Sequence, residues 1–210
     1  MRVLGLAGSP RRGGNTDLLL AEVMKGAASK GAEVKTIALN DLKLSPCQHC
    51  DACFEAGVCR IKDDMQMVYK ELEKADRIVL ASPVHFMGVS AQAKAMIDRC
   101  QALWARKYIL KQPPLGDRRE RKGLFIAVGG MKLAHLFEPS LATVKALFKV
   151  LDVDYAGDLL FPGVDEKGAI KNHPDALKQA FIAGQKLGAD QGVVTSSPPV
   201  CPPTAPAPPG

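Results

Sequence analysis

The sequence predicts a doubly wound α/β domain, a five-stranded parallel sheet covered by helices on both faces in three α/β/α layers. Three observations carry this. Short apolar runs rich in β-branched residues recur along the chain, a longer amphipathic stretch separates each from the next, and a 210-residue chain that is 47% hydrophobic holds enough apolar material for one core.

Residues 3–7, 34–39, 78–81, 124–128 and 153–161 read as the strands. The first helix spans 16–30, opening at a capping Asn15 or Thr16, presenting Leu19, Leu20, Val23, Met24 and Ala27 on one face, and stopping at Gly31. Asp63 or Asp64 opens a second helix through Lys74, with Met65, Val68 and Leu72 on one face. Residues 91–104, 136–151 and 174–190 supply three more, which makes five β/α units. Such units wind right-handed around a parallel sheet, so a ligand site belongs at the carboxyl ends of the strands.

The turn after the first strand reads Gly8-Ser9-Pro10-Arg11-Arg12-Gly13-Gly14-Asn15-Thr16. Helix-start N–H groups and the positive end of the helix dipole attract an anion, glycines let the backbone approach it, and Ser9, Arg11, Asn15 and Thr16 add donors. A phosphate group suits this turn. A nucleotide-triphosphate P-loop is excluded because Gly14 follows Gly13 where a lysine is required, and the G-x-G-x-x-G dinucleotide spacing is missing.

This turn resembles the G-S-P-R-x-x-x-N-T loop of the flavodoxin-like family of FMN reductases and iron–sulfur flavoproteins, and the resemblance extends over about residues 1–190. It implies a flavodoxin-like fold with FMN phosphate held at Ser9, Arg11, Asn15 and Thr16. The segment after the third strand, Pro83, Val84, His85, Phe86 and Met87 within 82–90, resembles the family's S-P-V-Y-F-G-x-V-S-A stretch, which wraps the isoalloxazine ring. His85 departs from the family's tyrosine, being smaller, polar and titratable near neutral pH. It serves either packing and hydrogen bonding or proton supply to reduced flavin. Gly129 and Gly130 after the fourth strand are the third expected flavin contact, although Lys132-Leu133-Ala134-His135 replaces the family's glycine-rich continuation.

Between the second strand and its helix, Cys47, Cys50, Cys53 and Cys59 stand in a C-x2-C-x2-C-x5-C pattern. Four thiolates in so short a loop suit a [4Fe–4S] cluster, with Gly57 easing the last bend. Bacterial ferredoxins share the first spacing but place a proline after the fourth cysteine, where Arg60 stands here. A zinc site of four cysteines, or of three with His49, and a loop of free thiols are the alternatives. In the iron–sulfur flavoproteins that this loop resembles, the cluster approaches the flavin of an adjacent subunit, which implies a homodimer or homotetramer. The expectation is an FMN oxidoreductase passing electrons between the cluster, FMN and an external partner such as ferredoxin. The alternative is a cluster-free enzyme taking hydride from NAD(P)H to reduce quinones, nitro compounds or free flavin; a flavin- or zinc-binding regulatory module is a third reading.

The net charge of +6 is concentrated in residues 106–122, where seven basic residues face two acidic ones, a surplus of five. Such a segment is either solvated surface or a steering patch for an acidic partner. No nucleic-acid-binding signature accompanies it. The first residues carry neither a secretory leader nor a membrane span, so a cytoplasmic protein is expected. Cys100 reads as a small buried apolar residue. Residues 1–193 form the expected domain, and 194–210 form a disordered proline-rich tail that holds Cys201.

Overall fold

In the computed structural model, which describes residues 1–189, the first apolar run becomes β1 (Arg2–Ala7). β2 (Glu33–Ala38) and β3 (Arg77–His85) pair with β1 in parallel, one on each side. A two-residue β4 (Gly88–Val89) folds back antiparallel on the end of β3. β5 (Lys122–Gly129) pairs in parallel with β3, and β6 (Asp154–Pro162) pairs in parallel with β5, so the order is β2-β1-β3-β5-β6. Leaving out the hairpin strand, this is the expected flavodoxin-like 2-1-3-4-5 order. The proline-rich segment 194–210 and Cys201 lie outside the described residues. Among the described residues no helix is long and apolar enough to cross a membrane.

The helices are α1 (Asn15–Ala28), the single turn α2 (Cys53–Ala56), α3 (Met65–Lys74), α4 (Ala91–Arg99), α5 (Gln101–Tyr108), α6 (Glu138–Leu151) and α7 (Ala176–Gly188). Successive strand residues alternate between two cores. Val3, Val79 and Ile126 point to α1 and α7, while Leu4, Ile78 and Phe125 point to α3, α4, α5 and α6. α1 and α7 meet backbone to backbone: a Cβ on Gly184 would lie 1.9 Å from Val23 O, and one on Gly26 2.1 Å from Phe181 O. Cys100 is buried as expected, and burial pushes its thiol up to about 12.

Two local expectations are corrected. The helix expected over 91–104 breaks at Cys100, which closes α4 and opens α5, because α5 turns to pack Trp104 against Phe54 with ring centroids 6.0 Å apart. The apolar pattern runs on through the break, so nothing local marks it. At the start of α1 the cap is Gly14 without a side-chain hydrogen bond, since the Asn15 side chain is engaged with a distant loop. Asp63 takes the capping role at α3, accepting the Met65 N–H at 3.1 Å.

Glu71 on α3 is buried among Arg2 on β1 at 2.9 Å, Lys35 on β2 at 3.1 Å and Lys74 at 3.5 Å. Burial raises its carboxyl, but the Lys35 hydrogen bond and the surrounding cations outweigh this and hold it below the ordinary range. Asp63 and Asp76 end up lowered by the same balance.

Gly184→Ala forces α7 away from α1 and is expected to cost about 1–3 kcal/mol, the usual range for overpacking, read from the denaturant midpoint. A wild-type midpoint contradicts backbone contact between these helices. For Asp63, Glu71 and Asp76 the folded-state pKa lies below the unfolded one. Their stabilisation is therefore complete above about pH 4–4.5 and is lost as pH falls through the folded values. Glu71→Gln should flatten the acid limb of a stability-against-pH profile, and an unaltered limb refutes the assignment.

Candidate functional site

The loops leaving the carboxyl ends of β1, β3, β5 and β6 enclose a cleft of about 250 Å³. Nine of the eleven residues expected to hold flavin line it: Ser9, Arg11, Asn15 and Thr16 after β1, Pro83, Val84 and His85 at the end of β3, and Gly129 and Gly130 after β5. The β1 turn is closed on itself, with Ser9 Oγ accepting the Arg11 N–H at 3.0 Å and Gly14 N–H donating to Arg11 O at 3.1 Å. Its open side faces the first turn of α1, whose N–H groups have no intrahelical partner. Asp17 stands just behind, accepting the Gly13 N–H at 2.9 Å, and burial raises its carboxyl.

Phe86 and Met87 do not line the cleft. Strand β3 continues through His85, and these two residues form a two-residue hairpin turn to β4 with φ of 49° and 63°. That is the turn geometry which normally demands Asn-Gly, and left-handed backbone costs an L-residue roughly 1–2 kcal/mol. Ser140 Oγ donates to Met87 O at 2.9 Å and holds the turn, while the Phe86 ring is fully exposed at its tip.

The rim carries residues that the sequence did not reveal. Ser90 Oγ donates to Gly8 O at 2.5 Å and accepts the Ala93 N–H at 3.2 Å, tying the β1 turn to the start of α4. Ser82 Oγ accepts the Ser90 N–H at 2.9 Å. The loop after β6 adds Val164, Asp165 and Lys167 to the cleft, anchored by Val164 N–H to Gly129 O at 3.0 Å. Asn15 clamps this loop, donating from Nδ2 to Glu166 O at 2.9 Å and accepting the Ile170 N–H on Oδ1 at 3.2 Å. The sheet order was the available signal, because it puts the carboxyl ends of all five parallel strands at one rim.

The four cysteines border a second concavity, which shares no lining residue with the cleft. His49 and Asp51 adopt left-handed backbone with φ of 48° and 54°, curling the loop, and Gly57 with φ of 66° ends α2. Arg106 Nε donates to Gly57 O at 2.8 Å, and a Cβ on Gly57 would lie 2.4 Å from Arg106 Cγ. Burial raises the Cys53 thiol, and Cys59, Cys47 and Cys50 raise it further by opposing a fourth negative charge. Among the described residues no three His, Cys, Asp or Glu side chains are gathered tightly enough to hold a single metal ion.

Five of the seven basic residues of the segment pair with carboxylates, while Lys111, Arg118 and Arg119 are exposed. Arg106 pairs with Glu73 at 2.7 Å, Lys107 with Asp152 at 2.5 Å, Arg119 with Asp117 at 2.6 Å, and Lys122 with Glu120 at 3.0 Å. Arg121 is buried, donating to Ala75 O at 3.0 Å and pairing with Asp117 at 2.8 Å.

Ser90→Ala removes both a helix cap and the bond to Gly8 O, and is expected to cost about 1–3 kcal/mol of unfolding free energy. A loss below a few tenths shows that the rim does not depend on it.

Comparison with known proteins gives the chain its relatives. Residues 1–153 match the family described as NADPH-dependent FMN reductase. An iron–sulfur flavoprotein of Archaeoglobus fulgidus is 44% identical over 131 residues, covering 62% of this chain and 63% of that protein. An iron–sulfur flavoprotein of Methanocaldococcus jannaschii is 47% identical over 103 residues, covering 49% and 53%. The matched part thus spans between half and two thirds of the length of these relatives. The NAD(P)H:quinone oxidoreductase of Methanothermobacter marburgensis shares the fold, with a TM-score of 0.67 at 18% identity over 89% of this chain and 98% of that one. The match to the family runs from β1 through α6 and includes the β1 turn, the end of β3, Gly129 and Gly130, and the cysteine loop, and the chain belongs to the NADPH-dependent FMN reductase family.

Proposed function

We propose that this chain is an FMN-dependent oxidoreductase of the iron–sulfur flavoprotein kind, passing electrons between a [4Fe–4S] cluster, FMN and an external partner such as ferredoxin. The observation that carries the proposal is the presence on one chain of two separate sites, a phosphate-suited cleft and a concavity bordered by four thiols. The names of the relatives support the pairing.

The cleft fits FMN in its chemistry. The first-turn N–H groups of α1 and the Arg11 guanidinium suit the phosphate, and Thr16 and Ser9 supply hydroxyls. Pro83, Val84 and the two glycines offer an apolar edge and close backbone approach for a flat ring, with His85 exposed at its border. The donor set of the cysteine loop suits a cubane, each iron of which takes one protein sulfur, and all four cysteines border one concavity.

When bound, FMN supplies two-electron chemistry and the cluster supplies single-electron steps. The chain's own work is to hold the ring against the end of β3, to anchor the phosphate on α1, and to keep the four cysteines at one concavity. A homo-oligomer belongs to the proposal. Phe86, Met131 and Leu133 are exposed on the rim loops, a surface that a second copy can cover.

Iron, acid-labile sulfide and FMN per chain, measured after anaerobic purification, test the reading. About four irons and four sulfides per FMN are expected. Cys53→Ser should lose iron while keeping FMN, because the two sites share no lining residue. FMN without iron, unchanged after anaerobic reconstitution with ferrous iron and sulfide, overturns the cluster.

A further inference from the structure

Arg99 ends α4 with its side chain wholly buried, and it borders the concavity of the four cysteines. A guanidinium has five N–H donors in a rigid plane. Nη1 donates to Ser45 O at 2.8 Å and to Asp63 Oδ2 at 2.7 Å, and Nη2 donates to Ile61 O at 3.3 Å and to Asp63 Oδ1 at 3.0 Å. Ser45 lies just before the cysteine loop and Ile61 just after it. One side chain therefore clasps both feet of the loop, and Asp63 reinforces the clasp by accepting the Ser45 N–H at 3.0 Å.

The fifth donor, Nε–H, is buried and has no partner. An idle buried donor is costly, and buried polar groups are almost always satisfied. Burial opposes the guanidinium charge, whereas the Asp63 hydrogen bond favours it and keeps the group protonated. The side chain thus places a permanent positive charge beside a concavity whose other main feature is sulfur, and it carries one enclosed donor without a partner.

We propose that Arg99 is a positioning and potential-setting residue of the cysteine site: two nitrogens clasp the loop, while Nε–H and the fixed charge serve a sulfur of the bound group. This rests on the reading that the four cysteines hold a [4Fe–4S] cluster. Net charge and hydrogen bonds to sulfur are among the factors that set a cluster's potential. A cation and a donor both favour the reduced, more negative form, so Arg99 raises the cluster's midpoint potential.

The test compares wild type, R99Q, R99K and D63N, each reconstituted anaerobically with ferrous iron and sulfide. Iron and sulfide content, FMN content and the cluster's midpoint potential from an EPR-monitored redox titration are read for each, with FMN retention reporting the fold. R99Q should lower the potential, and R99K should lower it less because the charge stays. D63N weakens the clasp but removes a negative charge, so its potential should stay level or rise. A purely structural role would move R99Q and D63N in parallel. Loss of iron from R99Q with FMN kept supports the clasp, and R99K then reads the potential. Should R99Q fail to retain FMN, R99K decides. Wild-type potentials in the folded Arg99 variants, or a D63N potential as low as that of R99Q, overturns the proposal. A wild-type chain that takes up FMN but no iron defeats the four-cysteine reading itself.

Discussion

The hydrogen bond from Gly8 N–H to Ala81 O, 2.7 Å long, carries the β1–β3 ladder past the end of β1, and the cleft depends on it. Gly8 is pressed so closely against its neighbours that a Cβ there would lie 3.0 Å from both Ala81 O and Ala93 Cβ. The Ser90 hydroxyl closes the same junction from the side by donating to Gly8 O. With these contacts in place, the turn after β1 and the end of β3 open onto a common space. Widening the junction would separate the phosphate-suited backbone from the surface that suits a ring. Parallel pairing then brings β5 and β6 into line, and their loops complete the enclosure.

The two sites are stabilised by different physics. The cleft is built from backbone and small residues, so its geometry follows from strand register and from glycines that allow close approach. The cysteine loop contributes only the single turn α2 as regular structure, and two of its residues sit in left-handed backbone that L-residues disfavour. Its conformation is imposed by long cationic side chains from neighbouring helices, Arg99 at its two feet and Arg106 at Gly57. Such an arrangement keeps four cysteines near one another without a large hydrophobic commitment. Part of the basic character also serves as structural ties: Arg99, Arg106, Arg119 and Arg121 each pair with a carboxylate of the fold.

Much of this was legible in residue order. The strand and helix periods, the glycines and hydroxyls of the β1 turn, and the spacing of four cysteines are local properties that the chain carries wherever it folds. The chemistry of Asn15 was legible too, but its task was not. Its amide spends both ends on the loop after β6, some 150 residues away. The Phe86-Met87 turn was hidden because neither residue signals a hairpin; the antiparallel pairing of β4 and the Ser140 hydroxyl hold the chain in a shape that its own propensities oppose.

The sequence by itself determined the fold class, the family and the residue types at both sites, because each of these depends on side-chain period, backbone freedom and spacing within a few residues. Tertiary structure alone decided which side chains became partners. Arg99 became the clasp of the cysteine loop, Asp165 and Lys167 became cleft walls, and the helix at 91–104 broke at Cys100. The physical reason is that a buried donor, a carboxylate or an aromatic ring can be satisfied by many residues, and only the packed sheet and its helices determine which of them lies within reach.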